Sequence, residues 1–179
     1  MIVYIMGVAG SGKTAVGCAL ARCMNCDYIE ADTHHSDENK AKMAAGQPLD
    51  DEDRRPWLHS LNSVAVEHQN QCKCAVISCS ALKSKYRSIL SQNLQQFAFV
   101  WLKVPIEVAT ERLNAREGHY FQASLLESQF EALEPPESEK EGFNLLVVES
   151  NSHCVLDIVL LVHRFVTDKC LGECESCLM

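Results

Sequence analysis

Gly7-Val8-Ala9-Gly10-Ser11-Gly12-Lys13-Thr14 fits G-x-x-x-x-G-K-[ST] at every position, with an apolar run before it and a helical pattern after it. Glycines at those spacings let successive peptide N–H groups turn inward around an anion, and the start of the following helix adds partial positive charge. In such a loop Lys13 reaches the β and γ phosphates of a nucleoside triphosphate, here expected to be ATP, and the Thr14 hydroxyl ligates Mg²⁺. A second chemical group follows in "DYIEAD", where Glu30 and Asp32 alternate and so share one side of a short strand. They fall at the C-terminal sheet edge, where α/β proteins bind ligands. Phosphoryl transfer to a hydroxyl needs an acceptor for the proton, which makes Asp32 the candidate base or substrate-orienting carboxylate. Glu30 is a candidate to hold a magnesium-bound water. In "ERLNAREGHYF" Arg112 and Arg116 stand four apart on one helix face, placed to stabilise charge on a transferring phosphoryl group.

Positioning these groups requires strands that end on one rim. Apolar runs bounded by turn residues occur at 2–6, 74–79, 97–102 and 144–149, with a shorter one at "DYIEAD". Apolar residues recur at three and four in 13–25, 54–69, 83–93, 105–116 and 153–169, the helical period. Strands apolar on both faces that alternate with helices predict a parallel sheet covered on both sides, a P-loop NTPase α/β sandwich with five parallel strands. Pro56 and Trp57 are expected to open a helix, with the indole in the core. "EPPESEKEG" at 134–142 carries prolines and charges without periodicity and reads as solvated. The C-terminal "VLDIVLLVHRFV" must cover at least one apolar face with the sheet or a second subunit.

At 179 residues the expectation is one domain over 1–179, with no internal repeat. A net charge of −8 gives no basic field for a nucleic-acid backbone, so nucleic acid is not an expected partner. No leader pattern and no run near the ~20 apolar residues of a membrane span is present, which points to a cytoplasmic protein without a membrane partner. Ten cysteines in a chain of this size read as reduced thiols rather than a disulfide framework. "CMNC" and "CLGECESC" have metal-like spacing, but the tail cluster supplies three ligands where structural zinc normally takes four. Cys177 lies one position off a prenylation signal.

Taken together, "GVAGSGKT", "EAD…HH…EN…KMAAGQPLDDEDRRPWL", "CSALKSKYRSIL" and "REGHYF…LLESQFEALEPP" resemble the gluconokinase family of the thermoresistant type, in the family's order from residue 2 to about 136. The central block is far more specific than the P-loop. The resemblance implies ATP-dependent phosphorylation of D-gluconate to 6-phosphogluconate, a nucleoside-monophosphate-kinase-like fold with a helical lid near 116–134, and often a homodimer. Two departures stand out. The family's usual "DGD" or "DAD" is Glu30-Ala31-Asp32, and its Leu-His-Pro is His34-His35-Ser36, which replaces a rigid proline.

Gluconate carries a carboxylate and a row of hydroxyls, so its pocket needs planar bidentate donors and mixed hydrogen-bonders. Arg54, Lys83 and Arg87 are the candidates for the carboxylate. His35, Asn39 and Lys42 are candidates for the hydroxyl side. His119 is read as a lid contact, and Gln129 and Phe130 as packing of the lid helix. Another sugar acid, or a shikimate-like hydroxy acid, would satisfy the same Asp-plus-Arg arrangement. A nucleotide-binding regulator without catalysis is the reading from a different class.

Overall fold

A computed structural model describes residues 1–115 and 123–171. Five strands, β1 (Ile2–Met6), β2 (Asp27–Glu30), β3 (Ala75–Ser78), β4 (Phe97–Lys103) and β5 (Asn144–Glu149), form one sheet in the order β2-β3-β1-β4-β5. Every pairing is parallel. Parallel pairing requires a crossover between strands, and the intervening helices supply it. All strand C-termini therefore open on one rim, and the order reverses beside β1, the position where such sheets bind ligands.

Alternation along β1 divides the core. Ile2, Tyr4 and Met6 face a cluster with α3 (Asp51–Asn70) and α4 (Ser84–Leu90), through Trp57, Leu58, Leu61, Tyr86 and Leu90. Val3 and Ile5 face α1 (Lys13–Met24) and α8 (Val155–Leu171), through Val16, Leu20, Ile158, Val162 and Val166. The sheet thus covers one face of the apolar C-terminal helix, while Leu156, Leu160 and Leu161 remain exposed. A third cluster joins Val8 of the glycine loop to α5 (Ile106–Asn114) and α6 (Ala123–Ala132), through Ala109, Leu113 and Leu126.

The expected strands appear within one or two residues of their predicted limits, but three features depart from expectation. Helix α3 begins three residues earlier than the apolar period suggests, because Asp50 and Asp53 form a reciprocal capping box. Pro56 accordingly lies inside the helix rather than at its first turn. A short helix α2 (Asp37–Ala44) was not expected; its polar residues give no apolar stripe, and Ser36 starts it by accepting from the Asn39 N–H at 3.2 Å. The stretch expected to be wholly solvated holds α7 (Ser138–Glu141) and places the Glu141 carboxylate against the core.

That carboxylate meets Arg87, a fully buried side chain. Arg87 donates Nε–H at 2.8 Å and Nη2–H at 2.6 Å to the two Glu141 oxygens, and Nη1–H to the carbonyls of Ala81 and Leu82. Removing one partner of a buried pair leaves an uncompensated charge, at a cost of about 3–5 kcal/mol. Arg87→Met is expected to lower unfolding free energy by roughly 3 kcal/mol, and Arg87→Met with Glu141→Gln by clearly less, as read from urea denaturation of both variants.

Candidate active site

The glycine loop joins β1 to α1 with three positive φ angles, at Gly7, Gly10 and Gly12. At Gly10 (φ +77°) a Cβ would sit 2.6 Å from the Ala109 carbonyl oxygen of α5, so the sharp bend and the close approach both require glycine. Gly12 (φ +100°) caps α1 and leaves open space where a side chain would project. Among the described residues, the Gly10 and Gly12 N–H groups make no hydrogen bond. Lys13 lies over the loop and donates to the Val8 carbonyl at 2.9 Å. These features fit an anion cradle at a helix start.

Two elements brace the loop. Arg112 on α5 donates Nη1–H to the Gly10 carbonyl, the Ser11 carbonyl and Ser150 Oγ at 3.3–3.5 Å, and Nη2–H to the Ser150 carbonyl at 2.8 Å. Arg112 was expected at the transferring phosphoryl group. In this conformation its guanidinium is instead engaged with loop carbonyls and with the turn after β5. Its expected companion Arg116, and His119, lie outside the described residues, as does the first part of the expected lid. The second brace is Gln129 on α6, whose Oε1 accepts the Ala9 N–H at 2.7 Å.

Thr14 and Glu30 meet directly: the threonine hydroxyl donates to Glu30 Oε2 at 2.9 Å, and the Tyr28 hydroxyl donates to the same oxygen at 2.6 Å. Burial, then the bond to Glu30, pushes the Tyr28 hydroxyl above its usual range. A hydroxyl and a carboxylate in contact beside the cradle form a hard oxygen donor set of the kind Mg²⁺ takes.

Asp32 was expected to alternate with Glu30 on one side of the strand; β2 instead ends at Glu30, and Asp32 sits in the 3₁₀ turn Ala31–His34 directly after it. The turn is pinned from below: Trp57 donates its indole N–H to the Ala31 carbonyl at 2.7 Å and stacks on His35 with ring centroids 4.1 Å apart. The Asp32 carboxyl remains exposed, 4.0 Å from His35 Nε2. Burial, then the positive charges of Arg54 and Lys40, lowers the His35 pKa to about 4, so its imidazole is neutral at physiological pH. Only two buried side-chain polar atoms among the described residues lack a partner, His35 Nδ1 and Ser11 Oγ. Both belong to this site, and unsatisfied buried groups in a native fold call for a role.

The Cys79 thiol, directly after β3, is buried, and burial pushes it up to about 12; the Ala81 backbone, Lys13 and Arg54 oppose that rise and Asp32 adds to it. Arg54 donates Nε–H to the Leu49 carbonyl at 3.3 Å, and its terminal amino groups find no partner among the described residues. Its guanidinium carbon lies 5.9 Å from the Tyr86 ring centroid, and Lys83 Nζ lies 5.6 Å from the same centroid. Both cations thus lie within cation–π range of one ring.

Several expectations change on this geometry. Arg87 does not face a substrate; it is buried, and its donors are engaged by Glu141 and two carbonyls. Asn39 donates to the Asp53 carbonyl at 2.7 Å and Lys42 pairs with the Asp53 carboxylate at 2.6 Å, so both tie α2 to α3. Lys83 pairs with Asp51 at 3.0 Å. Asp51, which also accepts from Lys85 and Tyr86, is a hub that single-residue reading missed; these partners, Lys85 first, hold its carboxyl well below the usual range. Trp57 is core, as expected. No group of three metal-ligating side chains gathers among the described residues.

Known kinases resemble this chain in sequence and fold. Residues 9–143 match the shikimate kinase family. The thermoresistant gluconokinase of Escherichia coli strain K12 is 40% identical over 83% of each chain. A sugar kinase from Janibacter sp. HTCC2649 superposes with a TM-score of 0.86 at 36% identity, over 93% of this chain and 94% of that one. A gluconokinase from Sinorhizobium meliloti 1021 gives 0.78 at 36% identity, over 93% and 91%. With identity of this order across most of its length, and a complete phosphate loop facing an acidic strand tip, the chain belongs to the gluconokinase family of P-loop kinases.

Proposed function

We propose that the protein transfers the γ-phosphoryl group of ATP to D-gluconate, giving 6-phospho-D-gluconate and ADP. The observation that carries this reading is the glycine cradle, whose Gly10 and Gly12 N–H groups make no bond among the described residues, with Thr14 at its helix start meeting Glu30 on the strand that leads into Asp32. The gluconate relatives at 36–40% identity name the acceptor. The Gly10 and Gly12 amides seat the triphosphate, and Lys13 leaves the Val8 carbonyl to follow negative charge on the β and γ oxygens. Thr14 and Glu30 would hold Mg²⁺, which would supply positive charge to offset that of the phosphate oxygens.

On the acceptor side, Arg54 and Lys83 meet the carboxylate. Arg54 offers the stronger claim, since its terminal donors have no partner among the described residues while Lys83 must share with Asp51. His35 Nδ1 and the Asp32 carboxylate orient hydroxyls. The substrate hydroxyl oxygen bonds to phosphorus as the bond from the γ-phosphorus to the bridging oxygen breaks, and its proton passes to Asp32. Glu30 in place of aspartate still reaches Thr14, so the departure there does not open the metal-side geometry.

The decisive assay is ADP release by purified protein with Mg-ATP and a panel of sugar acids and shikimate. Turnover with gluconate well above every other acid is expected; ATP binding without gluconate turnover would defeat the proposal. Lys13→Ala is expected to reduce kcat by about 10²-fold or more, the scale of losing one positioned donor to developing charge. Asp32→Asn is expected to depress kcat by about 10²-fold with little change in ATP affinity, and near-normal turnover would remove it from the proton-accepting role. Arg54→Met is expected to raise the gluconate KM about tenfold while leaving the ATP KM nearly unchanged, as steady-state kinetics in both substrates would reveal.

A further inference from the structure

The bond between Gln129 and the glycine loop is long-range, 120 residues apart in sequence, and links the phosphate cradle to a helix that no part of the phosphate motif specifies. Helix α6 is anchored to the loop in two ways. Leu126, with Phe130 and Leu133 partly buried beside it, packs on Val8. Gln129 then takes the Ala9 N–H at 2.7 Å. Just past α6, Glu134 accepts from the Ser84 N–H at 2.7 Å and donates its own N–H to the Leu82 carbonyl at 2.9 Å, so the helix end is also fixed to the turn that carries Lys83.

The loop amides divide accordingly. The Ala9 N–H is satisfied by the protein, whereas the neighbouring Gly10 and Gly12 N–H groups make no bond among the described residues. Holding the Ala9 N–H fixes the orientation of the Val8–Ala9 peptide, one peptide ahead of the Gly10 N–H and next to a point where the backbone has unusual freedom. We infer that Gln129 is a positioning residue: by accepting from Ala9 it keeps the Gly10 and Gly12 amides in register for phosphate and couples the cradle to the lid helix. This inference rests on the kinase reading for its catalytic consequence but not for its effect on nucleotide binding.

The test compares Gln129→Met, which keeps length and packing but removes the acceptor, with Gln129→Glu, which retains an acceptor for Ala9. Hydrogen–deuterium exchange of the peptide spanning residues 7–14 is measured without nucleotide, alongside Mg-ATP-analogue affinity and steady-state kinetics. Gln129→Met is expected to speed exchange in that peptide and to weaken Mg-ATP-analogue binding about tenfold, the scale of one hydrogen bond, with Tm and the gluconate KM nearly unchanged. Gln129→Glu is expected to restore slow exchange. Wild-type exchange and affinity in Gln129→Met would overturn the inference, as would a large Tm loss with both KM values rising together, the pattern of packing alone. Because analogue binding and exchange need no acceptor, they report on Gln129 even if gluconate turnover were absent.

Discussion

A loop that keeps peptide N–H groups unpaired at the end of a buried strand is unfavourable by itself, since most buried backbone donors are satisfied. Among the described residues the Gly10 and Gly12 amides are in that state, and much of the surrounding structure offsets the tendency of the loop to collapse onto its own carbonyls. Helix α5 closes to within a Cβ's reach of Gly10, Arg112 engages the Gly10 and Ser11 carbonyls, and Gln129 takes the Ala9 amide. The cradle is therefore a property of three segments distant in sequence. Its local motif supplies only the permitted backbone angles.

The acceptor half is built by a different device. Asp32 is exposed and on a turn, a placement that would leave it imprecise without support. Trp57 provides that support twice, through its indole bond to Ala31 and its stack on His35. The same ring lies in the main core cluster, so packing of α3 against the sheet is transmitted to the position of the carboxylate. At the start of α3, Asp51 gathers Lys83, Lys85 and Tyr86 into one arrangement. Arg54 stands beside that arrangement, its terminal donors without a partner among the described residues.

Much of this was legible from residue types and spacing. The phosphate motif and the doubly apolar strands are local signals, and the sheet follows from them; the expected alternation of Glu30 with Asp32 does not hold, because β2 ends at Glu30 and the chain turns before Asp32. What sequence could not supply was burial. Arg54 and Arg87 look alike as charges near apolar blocks, yet one keeps open donors and the other is sealed against Glu141, a residue in a stretch whose composition reads as solvent-facing. Gln129 carried no signal because a single amide on a helix has no period or motif. The early start of α3 was visible in principle, since Asp50 and Asp53 have the spacing of a reciprocal cap. Helix α2 was hidden because it is held by tertiary bonds from Asn39 and Lys42 rather than by an apolar stripe.

All five strands run the same way, which makes the two rims of the sheet unequal. The rim at the strand starts carries Cys26 and Cys74, immediately before β2 and β3, and none of the groups argued to act on substrate. Thiols gathered there are remote from the reacting atoms, and burial pushes Cys26 up to about 11, away from the reactive thiolate. Sequence drift or chemical modification on that side would be felt as fraying of strand ends, leaving the opposite rim free to keep its chemistry.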